Sequence, residues 1–479
     1  IIRRTMLFNS FEFTLFLPVV FLLYWFVFRT RKIQNLFLVV ASYVFYGWWD
    51  WRFLFLIAIT SFCSYASGLL LEYFEGKRNR QKIVSFTNIA LNLLILCIFK
   101  YYNFFMESIG VMFQRTGYQL DWITLDVILP VGISFYTFQA LSYTIDVYQR
   151  KIKATHDIVE FFAYICFFPQ LVAGPIERAT NLLPQFQHER IFNYDRAVDG
   201  CKQLLWGFVK KIVVADRCAI IVDFYWNQYQ ELSGLTLLML GVLFTFQIYC
   251  DFSGYSDIAI GCAKLFGIQL TKNFDNPYFS RSIPEFWRKW HMTLSGWFRD
   301  YVYIPLGGNR VHPARHIINI LIVWLLTGLW HGAGWNFVLW GVYHGVIIMI
   351  ERFVLKKRLD RLPKLVRILG TDLIVFIGWV LFFSSGLGSA LHYYGQMFGS
   401  AGLGFWNTEA SFLLQQNLVL LILGALFSAP FLHNRYEEFM FYKQKGGFLV
   451  STMLYLGLFV LCVAEMVSST YTTFLYAAF

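Results

Sequence analysis

The sequence predicts an all-α, polytopic helical membrane protein with about 11–13 membrane helices, since a helix needs roughly 20 apolar residues to cross a bilayer. Of the 479 residues, 57% are hydrophobic, 20% are aromatic and only 14% are charged, whereas soluble domains carry about 25% charged residues. Apolar stretches of about 20 residues recur along the chain, and such stretches satisfy their backbone groups within lipid as helices.

The apolar stretches predict the membrane spans in order. The first is too long for a signal-peptide core and lacks a small-residue cleavage site after it, so we expect it to be retained. The predicted spans are residues 11–28, 36–49, 53–74, 83–105, 127–148, 217–226, 235–250, 316–330, 334–354, 371–385, 412–430 and 448–468.

Basic loops predict the orientation of these spans. Cations follow the first, third and fifth spans, at residues 29–32, 75–82 and 149–153, and the segment 356–367 is the most basic of all. Cytoplasmic loops are enriched in Lys and Arg, so both chain termini are expected outside. The net charge of +11 is spread between apolar spans, which favours a multi-pass membrane protein with basic cytoplasmic loops over a nucleic-acid-binding protein.

Glycine and proline interrupt several apolar stretches, and backbone breaks at membrane depth must be covered by protein or water. We therefore expect short re-entrant helices near residues 157–178. Cations and apolar residues alternate at helical spacing over residues 195–215, which predicts an interfacial helix. No linker, low-complexity segment or repeat is visible, so residues 1–479 are predicted to form a single membrane domain.

Residues 285–310, EFWRKWHMTLSGWFRDYVYIPLGGNR, form the most informative stretch. It has too many charges to cross a bilayer and carries aromatic rings suited to a membrane boundary. His291 lies among these cations, and a second histidine, His331, ends a later apolar span in TGLWHGAGW. These two segments predict the active-site region, about residues 247–345.

Two acidic residues, Asp251 and Asp257, flank small residues in QIYCDFSGYSDIAIG. Carboxylates beside a membrane span are costly and often functional, but they also cap broken helices, and both interpretations stay open here. The eight cysteines form no C-x-x-C pair, which predicts small buried side chains rather than disulfides or a metal site.

Four motifs together resemble the membrane-bound O-acyltransferase family. They are FFPQLVAGPIER, QIYCDFSGYSDIAIG, NPYFSRSIPEFWRKWHMTLSGWFRDYVYIPLGGNR and TGLWHGAGWNFVLWGVYHG, in that order. More narrowly, the chain is similar to the bacterial branch that contains the membrane subunit of alginate O-acetyltransferase. The resemblance implies transfer of an acyl group, here acetyl, from a cytosolic thioester such as acetyl-CoA to a hydroxyl on an exported cell-surface polysaccharide. It also implies an extracytoplasmic acetyltransferase as partner protein.

The resemblance implies that His331 is the essential histidine and His291 the second one. A hydroxyl is a weak nucleophile near neutral pH, and histidine titrates in the range that a general base needs. Residues that could bind the substrates are Arg288, Lys289, Arg299, Asp251 and Trp330. The alternative for the cations is a solvated basic face, and the alternative for His291 is a hydrogen bond that orients the loop. We expect no bound cofactor and no metal ion.

His331 follows Arg315 by about 16 residues, on the order of 24 Å along a helix. A histidine so deep in a ~30 Å hydrocarbon core meets both a cytosolic donor and an extracellular acceptor only if helices surround a central pore or funnel. The alternatives left open are a lipid or protein acyltransferase of the same superfamily and a transporter or flippase. A transporter would be expected to show repeats and paired interrupted spans.

Overall fold

The computed structural model describes residues 6–117, 124–125, 128–399, 402–430, 447–468 and 474–475. Within these residues the chain is helical and contains no strand, which confirms the predicted all-α class. Among the described residues, seven helices are long and apolar enough to cross a membrane, and the number is eight if a further bent pair is one span. The chain is thus a multi-pass membrane protein.

The described part of the chain has fewer full-length spans than the 11–13 predicted. Several predicted spans are helices that are too short to cross a bilayer alone, among them Arg31–Gly47 and Ile133–Tyr148. The pair Thr408–Gln416 and Leu418–Ser428 bends by 54°. Apolar composition correctly predicted that these segments are helical, but the helices end at turns before they reach the length of a membrane span. The mixed-charge loop at 434–445 lies outside the described residues.

Residues 1–201 and 259–271 form one compact unit. Its apolar helices are held together partly by buried polar groups. Asn88, for example, donates hydrogen bonds to Thr144 Oγ1 at 2.7 Å and to Ser64 Oγ at 3.3 Å. Its helical segments are Phe11–Leu22, Leu23–Val27, Arg31–Gly47, Arg52–Tyr73, Arg78–Leu96, Cys97–Tyr101, Tyr102–Gln114, Ile133–Tyr148, Ile158–Cys166, Phe168–Leu171 and Ala179–Gln187.

Two features of this unit bear on the predictions. The short helices Ile158–Cys166 and Phe168–Leu171 confirm the expected break in the 157–178 region. The fourth predicted span, residues 83–105, belongs to a helical run from Arg78 to Gln114. The helix thus continues beyond the predicted end of the span at residue 105. Apolar residues extend this helix beyond the hydropathy boundary.

Residues 202–258 and 272–477 form most of the second compact unit. The helices Tyr194–Phe208 and Gly234–Leu265 contribute residues to both units. The other helical segments of the second unit are Val209–Ala215, Asp216–Trp226, Tyr229–Glu231, Pro277–Phe279, Ile283–Lys289, Met292–Phe298, Arg299–Tyr303, Pro313–His331, Trp335–Met349, Ile350–Leu355, Lys356–Leu359, Lys364–Phe383, Leu387–Met397, Thr408–Gln416, Leu418–Ser428 and Gly447–Ser468. The single domain of residues 1–479 and the central pore remain predictions.

The helix Gly234–Leu265 is 32 residues long and corrects the sequence prediction. We expected a span that ended near residue 250, and left open whether Asp251 and Asp257 cap a broken helix or have a functional role. Instead the helix passes through both carboxylates without a break. Lysines neutralise them: Lys211 lies 2.6 Å from Asp251, and Lys210 lies 2.8 Å from Asp257. A carboxylate that is neutralised by a lysine can lie in the middle of a helix and does not have to cap a helix end.

All eight cysteines are free, and most of them are buried in helices, as small apolar side chains should be. The predicted absence of a disulfide framework thus agrees with the geometry.

Candidate active site

Short helices in residues 272–303 position the first histidine. Ser282 caps the helix Ile283–Lys289 by accepting a hydrogen bond from the Glu285 N–H at 3.2 Å, which satisfies one of the open donors at the helix start. The next helix begins at Met292. Between them His291 adopts a left-handed backbone with φ of 44°, a conformation that non-glycine residues rarely take. The turn directs the chain back and buries the imidazole.

His291 is almost fully buried, with 1% of its surface exposed. Its Nδ1 lies 3.0 Å from the side-chain oxygen of Asn273, and its ring contacts Phe252 with centroids 4.6 Å apart. Burial, together with the nearby His331 ring, holds the pKa of His291 well below its ordinary range. The imidazole is therefore neutral near pH 7, which a proton acceptor requires.

His331 is the last residue of the helix Pro313–His331 and is 3% exposed. Aromatic rings surround it: the centroid of Trp340 lies 5.0 Å away and that of Phe382 lies 5.5 Å away. Trp330 lies beside both histidines, 5.1 Å from the His331 ring and 5.5 Å from the His291 ring. The structure therefore brings His331, His291 and Trp330 together, while their catalytic and binding roles remain predictions.

Glycines explain how His331 reaches this position. The helix Trp335–Met349 returns directly after the turn, and the two helices touch backbone to backbone. A Cβ atom built on Gly341 lies 3.2 Å from the Cα atom of Gly328, closer than normal packing allows. At the turn, a Cβ atom on Gly332 would overlap the Phe337 ring. Small residues are what permit such close helix contacts in membranes.

Tryptophans form the wall behind the histidines. Trp340 stacks on Trp379 with an interplanar angle of 18°, and Trp290 lies 4.9 Å from Trp379. His344 accepts a hydrogen bond at Nδ1 from Trp287 Nε1 at 3.4 Å. His344 is fully buried and thus takes part in packing and hydrogen bonding within the bundle. Buried aromatic rings give this region a low local polarity, which strengthens electrostatic interactions within it.

The predicted cations are paired with carboxylates or exposed. Lys289 pairs with Glu285 at 3.1 Å, and Arg299 pairs with Asp300 at 2.7 Å. Arg288 is exposed. Partial burial raises the pKa of Glu285, but hydrogen bonds from the Arg281 backbone and from Lys289 outweigh this effect, so the pKa lies below its ordinary value. A role of these cations in binding donor phosphates remains a prediction.

Asp251 is engaged elsewhere. One of its oxygens accepts a hydrogen bond from the Lys211 ammonium at 2.6 Å, and the other accepts from the Leu475 N–H at 3.0 Å. Lys211 also pairs with Asp216 at 2.6 Å. A carboxylate bound in this way stabilises the fold. Binding of a substrate by Asp251 remains a prediction.

Sequence reasoning missed Asn273 and Lys211. Neither lies next to a partner in the chain, so no spacing rule indicates the contacts that they make. Within the residues that the structure describes, no group of three or more histidine, cysteine, aspartate or glutamate side chains could hold a metal ion.

Comparisons with known proteins identify the family of this chain. Residues 43–396 match the membrane-bound O-acyltransferase family. The chain is 38% identical to the probable alginate O-acetylase of Pseudomonas aeruginosa, over 90% of this chain and 81% of that protein. It is 40% identical to the probable alginate O-acetylase of Azotobacter vinelandii, over 80% of this chain and 76% of that protein. It is 33% identical to the peptidoglycan O-acetyltransferase of Helicobacter pylori, over 87% of this chain and 84% of that protein. The chain therefore belongs to the membrane-bound O-acyltransferase family.

Proposed function

We propose that this protein transfers an acetyl group from a cytosolic thioester, of the acetyl-CoA type, for O-acetylation of an exported cell-surface polysaccharide such as alginate. The observation that carries the proposal is the buried pair His331 and His291 on either side of Trp330. The names of the relatives, alginate O-acetylase and peptidoglycan O-acetyltransferase, support acetyl as the acyl group and a glycan as the acceptor.

In the proposed reaction His331 acts as general base. An acceptor hydroxyl gives its proton to His331 while its oxygen attacks the thioester carbonyl carbon. The tetrahedral intermediate collapses as the carbon–sulfur bond breaks, and the departing sulfur takes the proton from His331. Atoms and charge balance, and no other reactant is needed. His291 shares the proton transfer or orients the acceptor, and Trp330 keeps both rings apart from water.

The protein is proposed to lie in the bacterial cytoplasmic membrane. A deep histidine at the end of the helix Pro313–His331 is suited to a donor that enters from inside and an acceptor that approaches from outside. A membrane-buried site is poorly suited to recognise a long polymer. We therefore include in the proposal an extracytoplasmic acetyltransferase that passes the acetyl group to the polysaccharide.

The test follows labelled acetyl groups from acetyl-CoA in sealed membrane vesicles that contain this protein. Lipid, protein and polysaccharide fractions are then separated. Label in polysaccharide, and only with the extracytoplasmic partner present, is the expected result. Label that stays in lipid would favour the lipid acyltransferase alternative. Full-rate acetylation of intact polysaccharide by the purified protein alone would contradict the proposed need for a partner protein.

A further inference from the structure

The side chain of Asn273 makes a set of contacts around His291. Its oxygen lies 3.0 Å from His291 Nδ1, and it accepts hydrogen bonds from the Thr293 N–H at 3.3 Å and from the Thr293 hydroxyl at 2.9 Å. Its amide nitrogen donates to the Ser256 hydroxyl at 3.3 Å. Asn273 is 1% exposed, so these contacts are shielded from water.

The backbone N–H of Thr293 fixes which end of the Asn273 amide faces His291. A backbone N–H can only donate, so the amide atom that it approaches must be the oxygen. A reversed amide would place its NH₂ group against this donor and would leave a buried group unsatisfied. Since the Asn273 oxygen can only accept, His291 Nδ1 carries the proton of the neutral ring. The lone pair of His291 is then on Nε2.

Backbone hydrogen bonds also hold the turn at His291 against the segment that carries Asn273. The Met292 N–H donates to the Asn273 carbonyl at 2.9 Å, and the Asp275 N–H donates to the Lys289 carbonyl at 2.9 Å. The left-handed turn at His291, with φ of 44°, is thus closed against the segment that carries Asn273. Both the ring orientation and the main chain of His291 depend on this neighbour.

We propose that Asn273 is a positioning residue that fixes the Nδ1-protonated tautomer of His291 and so leaves Nε2 to accept a proton or a hydrogen bond from the reacting groups. The role of Nε2 in the reaction rests on the proposed function, whereas the tautomer does not. Histidines that act as bases commonly depend on a partner of the second nitrogen, which selects the tautomer and the ring orientation.

The first test reads the tautomer directly, in the unmodified protein. Nitrogen NMR of protein with ¹⁵N-labelled histidine distinguishes protonated from unprotonated ring nitrogens, and the His291 signals are found by difference with His291→Gln. A protonated Nδ1 and an unprotonated Nε2 are expected. A protonated Nε2 in the unmodified protein would overturn the proposal, whatever the activity measurements show.

The second test uses a matched pair of variants. Asn273→Leu keeps the approximate size but removes the acceptor, so kcat for acetyl transfer should fall on the order of 10²-fold with KM for the donor unchanged. Asn273→Asp keeps an oxygen beside Nδ1 and adds a negative charge, which favours the protonated ring. The acid limb of its pH profile should therefore move to higher pH, with His331 as the other titratable group nearby.

These outcomes separate the positioning role from the proposed function. A merely structural asparagine predicts lower activity in both variants with an unshifted pH profile, and that result would overturn the proposal. Full activity of Asn273→Leu beside an inactive His331→Ala would also reject the positioning role while leaving the function intact. The expected tautomer together with an unimpaired His331→Ala would instead reject the function.

Discussion

Gly328 and Gly341 face each other across the helix pair that carries His331, and a Cβ atom on Gly341 would lie 3.2 Å from the Gly328 Cα atom. A Cβ atom on Gly328 would lie 3.3 Å from the Gly341 Cα atom and would overlap the Phe337 carbonyl oxygen. We therefore expect Gly328→Ala to separate these helices and to destabilise the protein by about 1–3 kcal/mol, the usual cost of overpacking. Acetyl transfer should fall as well, because His331 shifts with its helix.

The control for this change is Gly370→Ala. Gly370 lies in the helix Lys364–Phe383, and no heavy atom lies within 4 Å of a Cβ atom placed there. The added methyl group should leave activity unchanged and favour the helix by about 0.5–1 kcal/mol. Thermal unfolding in detergent compares both variants. Equal melting temperatures for the two would contradict the close helix contact.

Replacement of His331 tests the proposed base. His331→Ala should lower acetyl transfer on the order of 10²–10⁴-fold, because proton abstraction is lost. His331→Gln keeps polarity without supplying a base and should be nearly as inactive. The exposed His392 offers a control of the same residue type, and His392→Ala should be fully active. A folded His331→Ala protein with normal transfer would return the transporter alternative to consideration.

The neutral state of His291 predicts how stability depends on pH. Its pKa in the folded protein lies well below the ordinary value, whereas the unfolded chain has a histidine pKa of about 6.5. The unfolded state therefore binds more protons as pH falls below about 6.5. Stability is complete above this pH and declines below it, by up to about 1.4 kcal/mol per pH unit.

Thermal unfolding between pH 7.5 and pH 5.5 measures this effect. Other histidines titrate too, so the informative quantity is the difference between the unmodified protein and His291→Gln. The variant should lose less stability on acidification. If both proteins lost stability equally, His291 would not be held neutral by the fold.

Lys211 lies between two buried carboxylates, 2.6 Å from Asp251 and 2.6 Å from Asp216. Lys211→Met should destabilise the protein by about 3–5 kcal/mol, because it leaves buried negative charges without their cation. Lys272 pairs with Asp275 at the surface, so Lys272→Met should cost at most about 1 kcal/mol. Comparable losses in the two variants, measured by unfolding in detergent, would contradict a structural role for the buried group.

The orientation in the membrane can be measured by cysteine labelling in intact cells. Residues 75–82, 149–153 and 356–367 should be protected from impermeant reagents, since basic loops stay in the cytoplasm. Single cysteines placed in these loops serve as probes, and labelling after permeabilisation shows that each probe is reactive. Labelling of residues 356–367 from outside would reverse the orientation and the side from which the donor enters.

Much of the site was predictable because its signals are local. His291 and His331 lie in short motifs whose residues are neighbours in the chain, and the helix Pro313–His331 follows from an apolar stretch that begins at a proline. Asn273 was not predictable, since its contact with His291 depends on a left-handed turn that no periodicity indicates.

The sequence by itself determined the class of this protein, the approximate positions of its helices, its family and its two central histidines. Hydropathy and helical hydrogen bonding act over short stretches, and lipid requires each spanning segment to satisfy its own backbone. Only the tertiary structure decided which charged residues pair with one another. The sequence left open whether Asp251 caps a broken helix or has a functional role. In the structure Lys211, which lies 40 residues earlier in the chain, neutralises Asp251, and the helix Gly234–Leu265 continues past it. Pairing between distant charges depends on which helices pack together, and packing is set by the whole fold.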